Sequence, residues 1–390
     1  MSVYSHADEE RLRLQARVRA WTRAGLLDRS RGAALDAELR TDVRRTNVMF
    51  RAALAAFTVL IALALFWLLV VAFEIRSRIP RATLMLMYAV TCFGVAELMV
   101  RRWRIYRYGM EEALTTIAIV LAGFSTAELA SAELGVGGNG ATIFGFAVAA
   151  AAAFVVYWRF GFVYAAVAGM ACAAVIPFNL DRAPWLERLM AAAILGAACA
   201  FARAGHLKHG DDYPGDDDSA LQAAAWVGVY VTLNLHLFDL LEGNNSRITD
   251  DRAFYWTTYA ITWLMPIAGL ALALREKNQW FILANLVLAL ATLATNKPYL
   301  GWARQSWDPM VLGALLTIAA VALRRWLSRG PGGERFGFTP ARVLEPDRDF
   351  LRALGTASAA IHAPAAPAAQ HSSTLFDGGR SGGGGASGSF

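Results

Sequence analysis

The chain has little charge, which excludes an ordinary soluble domain. Charged side chains make up 17% of its 390 residues, whereas soluble domains average about 25%. Only three lysines are present, Lys208, Lys277 and Lys297, so the net charge of +6 comes from arginine. Nucleic-acid binding is excluded as well, because no soluble segment offers a basic face interleaved with aromatic residues.

Cysteine is equally scarce, which argues against a disulfide framework or a cysteine metal site. Cys92, Cys172 and Cys199 lie inside apolar runs, far apart and without metal-ligand spacing. In that setting cysteine behaves as a small buried hydrophobe. The first fifty or so residues lack an apolar stretch of signal-peptide type, so the amino end is expected to stay where it is made.

Long apolar runs are what the chain has instead. Hydrophobic residues make up 56% of it, and residues 52–73 hold no ionisable side chain. Such a run matches the roughly 20 residues with which a helix crosses a hydrocarbon core about 30 Å thick. Each backbone N–H and C=O in lipid must be bonded within the protein, so a single spanning segment is helical. The runs predict a lipid bilayer as the chain's partner.

Ten runs are predicted to span the membrane. They are residues 52–73, 82–100, 109–129, 142–157, 160–178, 185–202, 220–241, 254–274, 280–295 and 309–327. The fold class is therefore all-α, a polytopic transmembrane helix bundle of about ten spans over residues 52–327.

Residues 1–51 are predicted to form a basic helical hairpin. Leu14, Val18 and Trp21 recur at helical spacing and Gly25 is a stop signal, after which a second stripe follows: Leu35, Leu39 and Val43. The segment is too small to fold alone. It either docks on the cytoplasmic face of the bundle or contacts anionic headgroups through its arginines. A retention signal with incidental helicity is the other interpretation.

Arginine sets the predicted orientation. Eleven arginines precede the first span, and four more crowd the loop after the second: Arg101, Arg102, Arg104 and Arg107. Basic residues beside the spans stay on the cytoplasmic side, and an even number of spans returns the carboxyl end to that side. We expect a multi-pass protein of the bacterial plasma (inner) membrane with both termini cytoplasmic. Residues 328–390, rich in Ala, Pro and Gly, are expected to be a disordered cytoplasmic tail.

The seventh span carries the strongest candidate for chemistry. In NLHLFDLLEGNN, Asn234 leads a line of His236, Asp239 and Glu242, whose spacing places the last three on one third of the helix circumference. An ionised group at the bilayer centre costs ~2.5–3.5 kcal/mol on insertion scales, so such groups tend to mark ion or proton pathways. The competing interpretation places them at the outer interface, in contact with water.

Other polar motifs are weaker. Glu97 in the second span is a candidate for the same pathway, or it pairs with Arg101 one turn later. The acidic loop 206–219 lacks zinc or EF-hand spacing, and GVGGNG at 135–140 links two spans rather than a strand and a helix. No metal, cofactor or catalytic residue is therefore assigned.

Small residues recur every four positions in the fifth and sixth spans, which predicts that these two helices pack tightly. They are Gly161, Ala165, Gly169 and Ala173, then Ala192, Gly196 and Ala200.

RAWTRAGLLDRSRGAAL, Arg19 to Leu35, resembles the W-x-x-x-G-L-[LI] opening of a family of predicted bacterial multi-pass membrane proteins of unknown function. Trp21, Gly25, Leu26 and Leu27 match it, and RYGMEEALTTIAIVLAGFS is similar to the family's next segment. The resemblance implies a cytoplasmic helical hairpin before eight or more spans, and it implies no substrate or catalytic residue.

Three function classes remain. A transport-type or channel-like bundle, the preferred class, predicts that His236, Asp239 and Glu242 converge with Asn285 or Asn296 around a midplane cavity. A structural or regulatory envelope protein, recruiting partners through its hairpin and tail, predicts a solid alanine-packed bundle. An intramembrane enzyme comes last, because no nucleophile–base pair, H-E-x-x-H or paired aspartate motif lies within the spans.

Overall fold

The computed structural model describes residues 3–23, 27–44, 46–208, 215–237, 251–276, 278–301 and 308–330. Within them, 86% of the residues are helical and no strand forms. Seven helices are long and apolar enough to cross a membrane by length and composition. The predicted all-α fold with membrane-spanning helices is confirmed at this level.

The helices follow one another through short connections. In chain order they are α1 (His6–Arg23), α2 (Arg29–Glu38), α3 (Val48–Ala72), α4 (Arg78–Trp103), α5 (Met110–Glu133), α6 (Gly138–Phe160), α7 (Val163–Val175), α8 (Pro184–Lys208), α9 (Gly215–Leu233), α10 (Arg252–Glu276), α11 (Gln279–Tyr299) and α12 (Asp308–Ser328). Helices α3 to α12 lie at the positions of the ten predicted spans. The seven of membrane length and composition are α3, α4, α5, α6, α8, α10 and α11.

Two predicted spans are interrupted. The fifth was predicted to begin at residue 160 but begins at Val163, the first residue of α7. Gly161 ends α6 in a left-handed conformation, with a φ of +68°, and separates the two helices. The far end of the fifth span is a short 3-10 helix, Ile176–Asn179, with Pro177 in its first turn, where the missing proline N–H is tolerated. The seventh was predicted to be one helix from residue 220 to residue 241. This is wrong, because α9 ends at Leu233 and Asn234 is not helical.

Glycine brings α5 and α6 together. A Cβ added to Gly123 would lie 2.9 Å from Ala149 Cβ, and one added to Gly145 would lie 2.9 Å from the Gly123 carbonyl oxygen.

Helices α7 and α8, the fifth and sixth predicted spans, do pack together, with Ala174 of α7 buried against Ala191 and Leu195 of α8. The predicted small residues are not the contact: a Cβ added to Gly169 would lie 3.3 Å from the Ala150 carbonyl oxygen of α6, and one added to Gly196 of α8 would have no neighbour within 4 Å. Spacing alone locates a small-residue face but does not identify the helix packed against it.

Helices α1 and α2 form the predicted hairpin, and Arg19 of α1 donates to both carboxylate oxygens of Asp36 on α2, at 2.7 and 3.1 Å. The expected apolar stripe is partly wrong. Val18 is buried, but Trp21 and Leu35 are exposed, and Leu12 is buried instead. The buried face of α1 therefore carries Leu12, Gln15 and Val18.

Three contacts dock the amino-terminal segment on one end of the bundle. The Val3 N–H donates to the Arg159 carbonyl at 2.8 Å, and the Tyr4 ring packs edge-on against Tyr106, with centroids 4.9 Å apart. Arg13 forms an ion pair with Asp217 at 3.0 Å. The turn after α4, the end of α6 and the start of α9 therefore lie together beside the hairpin. We call this end of the bundle the hairpin end. Docking on the bundle, one of the two expected placements, is what the structure contains.

Burial of Asp217 at this docking site produces a pH dependence. Burial raises the pKa of its carboxyl above the ordinary 3.8, and the Arg13 guanidinium opposes that rise. Because the folded-state pKa is raised, the contribution of Asp217 to stability is fully present below its unfolded pKa and is lost as the pH rises through the folded pKa. We expect the thermal midpoint of the wild type, minus that of Asp217→Asn, to fall as the pH rises above the ordinary aspartate pKa of 3.8.

Thermal unfolding in detergent at several pH values measures this difference. A difference that grows with pH would mean that pairing with Arg13 outweighs burial of the carboxylate.

Candidate functional site

A line of hydrogen-bonding side chains runs along one face of α9. Gln222, Trp226, Tyr230 and Asn234 follow at intervals of four residues, so they lie one above another on the helix. Gln222, Tyr230 and Asn234 are fully buried, and Trp226 is half-buried. From the first to the last of them the helix rises about 18 Å, more than half of a hydrocarbon core of about 30 Å.

Each of these side chains is hydrogen-bonded to a polar residue of α11 or to Asn278, the residue before α11. Asn278 donates to Gln222 at 3.4 Å, Trp226 Nε1 donates to Asn285 at 2.9 Å, the Tyr230 and Thr292 hydroxyls lie 2.9 Å apart, and Asn234 donates to Thr295 at 3.1 Å. We call this set the polar seam: Gln222, Trp226, Tyr230 and Asn234 with Asn278, Asn285, Thr292 and Thr295.

Helix α10 closes the third side of the polar seam. A Cβ on Gly269 would lie 2.0 Å from Asn285 Oδ1, so the Asn285 amide lies against the α10 backbone at this level. About two turns away, the Thr292 hydroxyl lies 2.9 Å from the Thr262 carbonyl of α10. Met265 and Leu288 are buried between these polar levels. The seam is therefore enclosed by protein and separated from lipid.

The helical path of α9 is broken at Asn234, inside the predicted seventh span. Asn234 Oδ1 accepts the N–H of Leu237 at 3.0 Å, which is the geometry of an N-cap for the helical residues 235–237. The Leu235 N–H is bonded to the Tyr299 hydroxyl of α11 at 2.8 Å. Non-helical backbone at membrane depth is tolerated where protein surrounds it, and here side chains from α9 and α11 bind its amides.

A buried arginine completes the break. Arg188 of α8 is 6% exposed and donates through Nη1 to the Thr232 carbonyl at 3.1 Å. In an unbroken helix the Thr232 carbonyl would accept the N–H of residue 236. The guanidinium therefore binds a carbonyl that the interruption releases. The sequence analysis missed Arg188, although an arginine in the first turn of an apolar run is a visible signal.

His236 lies at one end of the seam among tyrosines. Its Nε2 lies 3.0 Å from the Tyr255 hydroxyl, and its ring packs edge-on to Tyr299 with centroids 4.5 Å apart. The Tyr259 ring is tilted against that of Tyr299, with centroids 5.3 Å apart, and its hydroxyl donates to Asn296 at 2.8 Å. The cluster lies where α10 begins and α11 ends, and its composition is that of the aromatic belts found at membrane interfaces.

The opposite end carries an ion pair. Arg203 of α8 donates to Glu276 Oε1 through Nε at 3.0 Å and Nη2 at 2.8 Å. The Glu276 side chain is 9% exposed. Its second oxygen, Oε2, and Gln222 Nε2 are buried and have no hydrogen-bond partner among the described residues. Polar atoms left open in this way are uncommon in folded proteins.

The residues predicted for a pathway divide into three groups. Asn234 belongs to the seam and His236 lies at its end, so the structure brings these two together with α10 and α11. Asp239 and Glu242 lie outside the described residues. Glu97 is elsewhere in the bundle, where it pairs with Arg101 of its own helix at 2.5 Å and with Arg159 of α6.

Most of the seam escaped the sequence analysis. Its α9 face has a four-residue repeat, and Asn278, Asn285, Thr292 and Tyr299 repeat every seven residues in α11. A search for polar periodicity inside apolar runs would have found both. Hydropathy averages conceal it, since tyrosine, tryptophan and threonine disturb the mean very little.

Among the described residues, no group of three or more His, Cys, Asp and Glu side chains is arranged to hold a metal ion. Comparisons with protein-family models, curated proteins and solved structures give no match to this chain. The resemblance in Arg19 to Leu35 therefore stays a prediction, and the seam itself is the main guide to function.

Proposed function

We propose that the protein is a transport-type multi-pass membrane protein whose pathway follows the polar seam. The observation that carries the proposal is the row of buried hydrogen-bonding pairs, about 18 Å long, between α9 and α11. Polar groups inside a membrane are costly and tend to mark substrate or ion pathways. A helix interrupted within its span, as α9 is at Asn234, is a recurrent element of transporter binding sites.

The proposed membrane arrangement has ten spans, α3 to α12, in the bacterial plasma (inner) membrane. The hairpin end of the bundle is placed in the cytoplasm, because the amino-terminal arginines and those after α4 lie there. The carboxyl terminus is assigned to the same side. Of the tail predicted for residues 328–390, Ser328 ends α12 and residues 331–390 lie outside the described residues. Arginines of the hairpin are proposed to contact anionic lipid headgroups at this surface. The seam then leads from Glu276 on the cytoplasmic side to His236 on the outer side.

A structural or regulatory envelope protein is the alternative. It is favoured by the glycine contact between α5 and α6, which leaves that half of the bundle closely packed. Interhelical hydrogen bonds also act as adhesive between membrane helices without any transported solute. The alternative requires that water never enters the seam.

Water access to the seam tests the proposal. In a variant whose three cysteines are replaced by alanine, Thr292→Cys and Thr295→Cys place a thiol at buried seam positions. We expect silver ion, a thiol reagent close to a water molecule in size, to block both thiols in membrane vesicles, because the reacting species is the thiolate, which forms only where water reaches. The block is measured as thiol lost to a maleimide that is added after denaturation.

Two variants calibrate the labelling. Thr91→Cys is a matched threonine replacement on α4, exposed in the structure and bonded only to its own helix through the Met87 carbonyl, and it should face lipid and stay unlabelled. Glu74→Cys, in the exposed turn after α3, should react fully. If both seam thiols are as inert as residue 91, the pathway is refuted and the envelope role is favoured.

A further inference from the structure

Resting on the proposed function, we propose that the seam carries protons, with Glu276 as the cytoplasmic-side exchange group and His236 as the group at the other end. A carboxyl and an imidazole are the side chains that proton-conducting membrane proteins use for relays. Here one lies at each end of the polar seam, whose Asn285 and Thr292 levels are separated by the buried Met265 and Leu288. The inference thus assigns a transported species and a residue that the sequence did not indicate.

Glu276 has the geometry of a carboxyl with one position left for a proton. Both Arg203 hydrogen bonds go to Oε1, at 3.0 and 2.8 Å, which leaves Oε2 buried without a donor among the described residues. Gln222 Nε2, at the first level of the seam, is also buried without an acceptor there. Ordered water satisfies buried polar atoms of these two kinds, since it can accept from an amide N–H and donate to a carboxylate oxygen. Both open atoms therefore suit hydration at this end.

The packing of the seam favours a proton over a larger solute. Tyr230 and Asn234 are 0% exposed, and the hydrogen bonds that join them to each other, to Thr292 and to Thr295 are 2.8 to 3.1 Å long. At the level of Gly269, the Asn285 amide fills the space beside the α10 backbone. A solute of several heavy atoms would have to separate α9, α10 and α11, whereas a proton needs only hydroxyls and transient water.

The transfer is balanced at each step. The Glu276 carboxylate takes a proton from a hydronium ion on its side, leaving water and a neutral carboxyl, and then gives that proton to a seam water. The hydroxyls of Tyr230, Thr292 and Tyr299 each accept one proton and release one. The His236 imidazole receives the proton and passes it to water outside.

The two end groups face other charged and titratable side chains. Arg203 and Cys199 of α8 face Glu276, and Tyr255 and Tyr299 face His236.

Proton flux in liposomes tests the inference. Full-length protein is reconstituted with a pH-sensitive dye inside, and a potassium gradient with valinomycin drives protons across. We expect wild-type flux well above that of protein-free liposomes, and a loss of at least about tenfold in Glu276→Gln, which keeps the side-chain shape but cannot take up a proton. His236→Gln should slow the flux as well.

Glu111→Gln is the matched control. Glu111 is a buried carboxyl of α5, outside the seam, and accepts the Tyr108 N–H at 2.6 Å, a bond that the amide oxygen of glutamine preserves. Its flux should equal that of the wild type. If Glu276→Gln does not fold, Glu276→Asp, which retains a carboxyl, should conduct above the protein-free level while His236→Gln remains slow.

Two results would overturn the inference. The first is wild-type protein that passes no protons although the thiol of Thr292→Cys reacts with the aqueous reagent. The seam would then be a pathway for a species other than the proton. Glu276→Gln flux equal to that of the wild type would remove Glu276 as the exchange group. Failure of the thiol labelling refutes the pathway itself, so the two proposals fail separately.

Discussion

Asn234→Leu should lower the free energy of unfolding by about 2–4 kcal/mol, because leucine keeps the volume and removes three hydrogen bonds. Asn234 donates to Tyr230 at 2.8 Å and Thr295 at 3.1 Å, and it accepts the Leu237 N–H at 3.0 Å. Each buried bond contributes about 0.5–1.5 kcal/mol, and a backbone amide left without an acceptor adds its desolvation cost. Loss of the cap should also unwind residues 235–237 from the tyrosine cluster.

Unfolding in detergent by titration with sodium dodecyl sulfate, followed by tryptophan fluorescence, measures this change. Thr91→Val is the control, since Thr91 is exposed on α4 and bonds only the Met87 carbonyl of its own helix. It should shift the free energy by less than about 0.5 kcal/mol. Equal stability of Asn234→Leu and wild type would mean that the break at Asn234 does not depend on its side chain.

Gly109→Ala should be more damaging still, with a loss of about 3 kcal/mol or more and little folded protein recovered. Gly109 precedes α5 with a φ of +105°, which an L side chain rarely adopts, and an added Cβ would lie 2.2 Å from the Arg51 carbonyl oxygen. The obstacle is backbone of α3, so no side-chain rotation relieves it. Moving α3 away would also break the ion pair between Arg51 and Glu112.

Gly135→Ala measures the cost of a positive φ in the absence of a steric clash. Gly135 also has a positive φ, +61°, but nothing lies within 4 Å of an added Cβ. Its cost should therefore stay near the 1–2 kcal/mol of the left-handed conformation alone. Yield and thermal midpoint of both variants, measured side by side in detergent, test the difference. Two variants with the same loss would show that α3 is not held against Gly109 as the structure places it.

Sequence reasoning located the helices well, because each depends on a local property. A run such as residues 52–73 must be helical wherever it lies in the lipid, and α3 occupies that position. The same reasoning failed where a contact between distant residues decides the backbone. Nothing near Asn234 in sequence indicates that Tyr299, 64 residues away, binds the Leu235 amide and stabilises a break.

The residues of the proposed pathway also divide into those that a single segment reveals and those that only the packing reveals. His236 and Asn234 were predicted because polar groups within an apolar run are costly, a cost that one segment reveals alone. Glu276 and Arg188 were not, since each lies near the end of an apolar run, where a charged residue ordinarily meets water. Only the packing of α8 against α9 and α10 shows that both side chains are largely buried.

The amino acid order by itself determined a chain of apolar helices and a basic hairpin, because helix formation in lipid and charge beside a span are properties of single segments. The tertiary structure decided which polar residues meet, where α9 breaks and which face of the hairpin is buried. These outcomes depend on the rotation and neighbours of each helix. Lipid supplies no hydrophobic force to set them, so close packing and interhelical hydrogen bonds do.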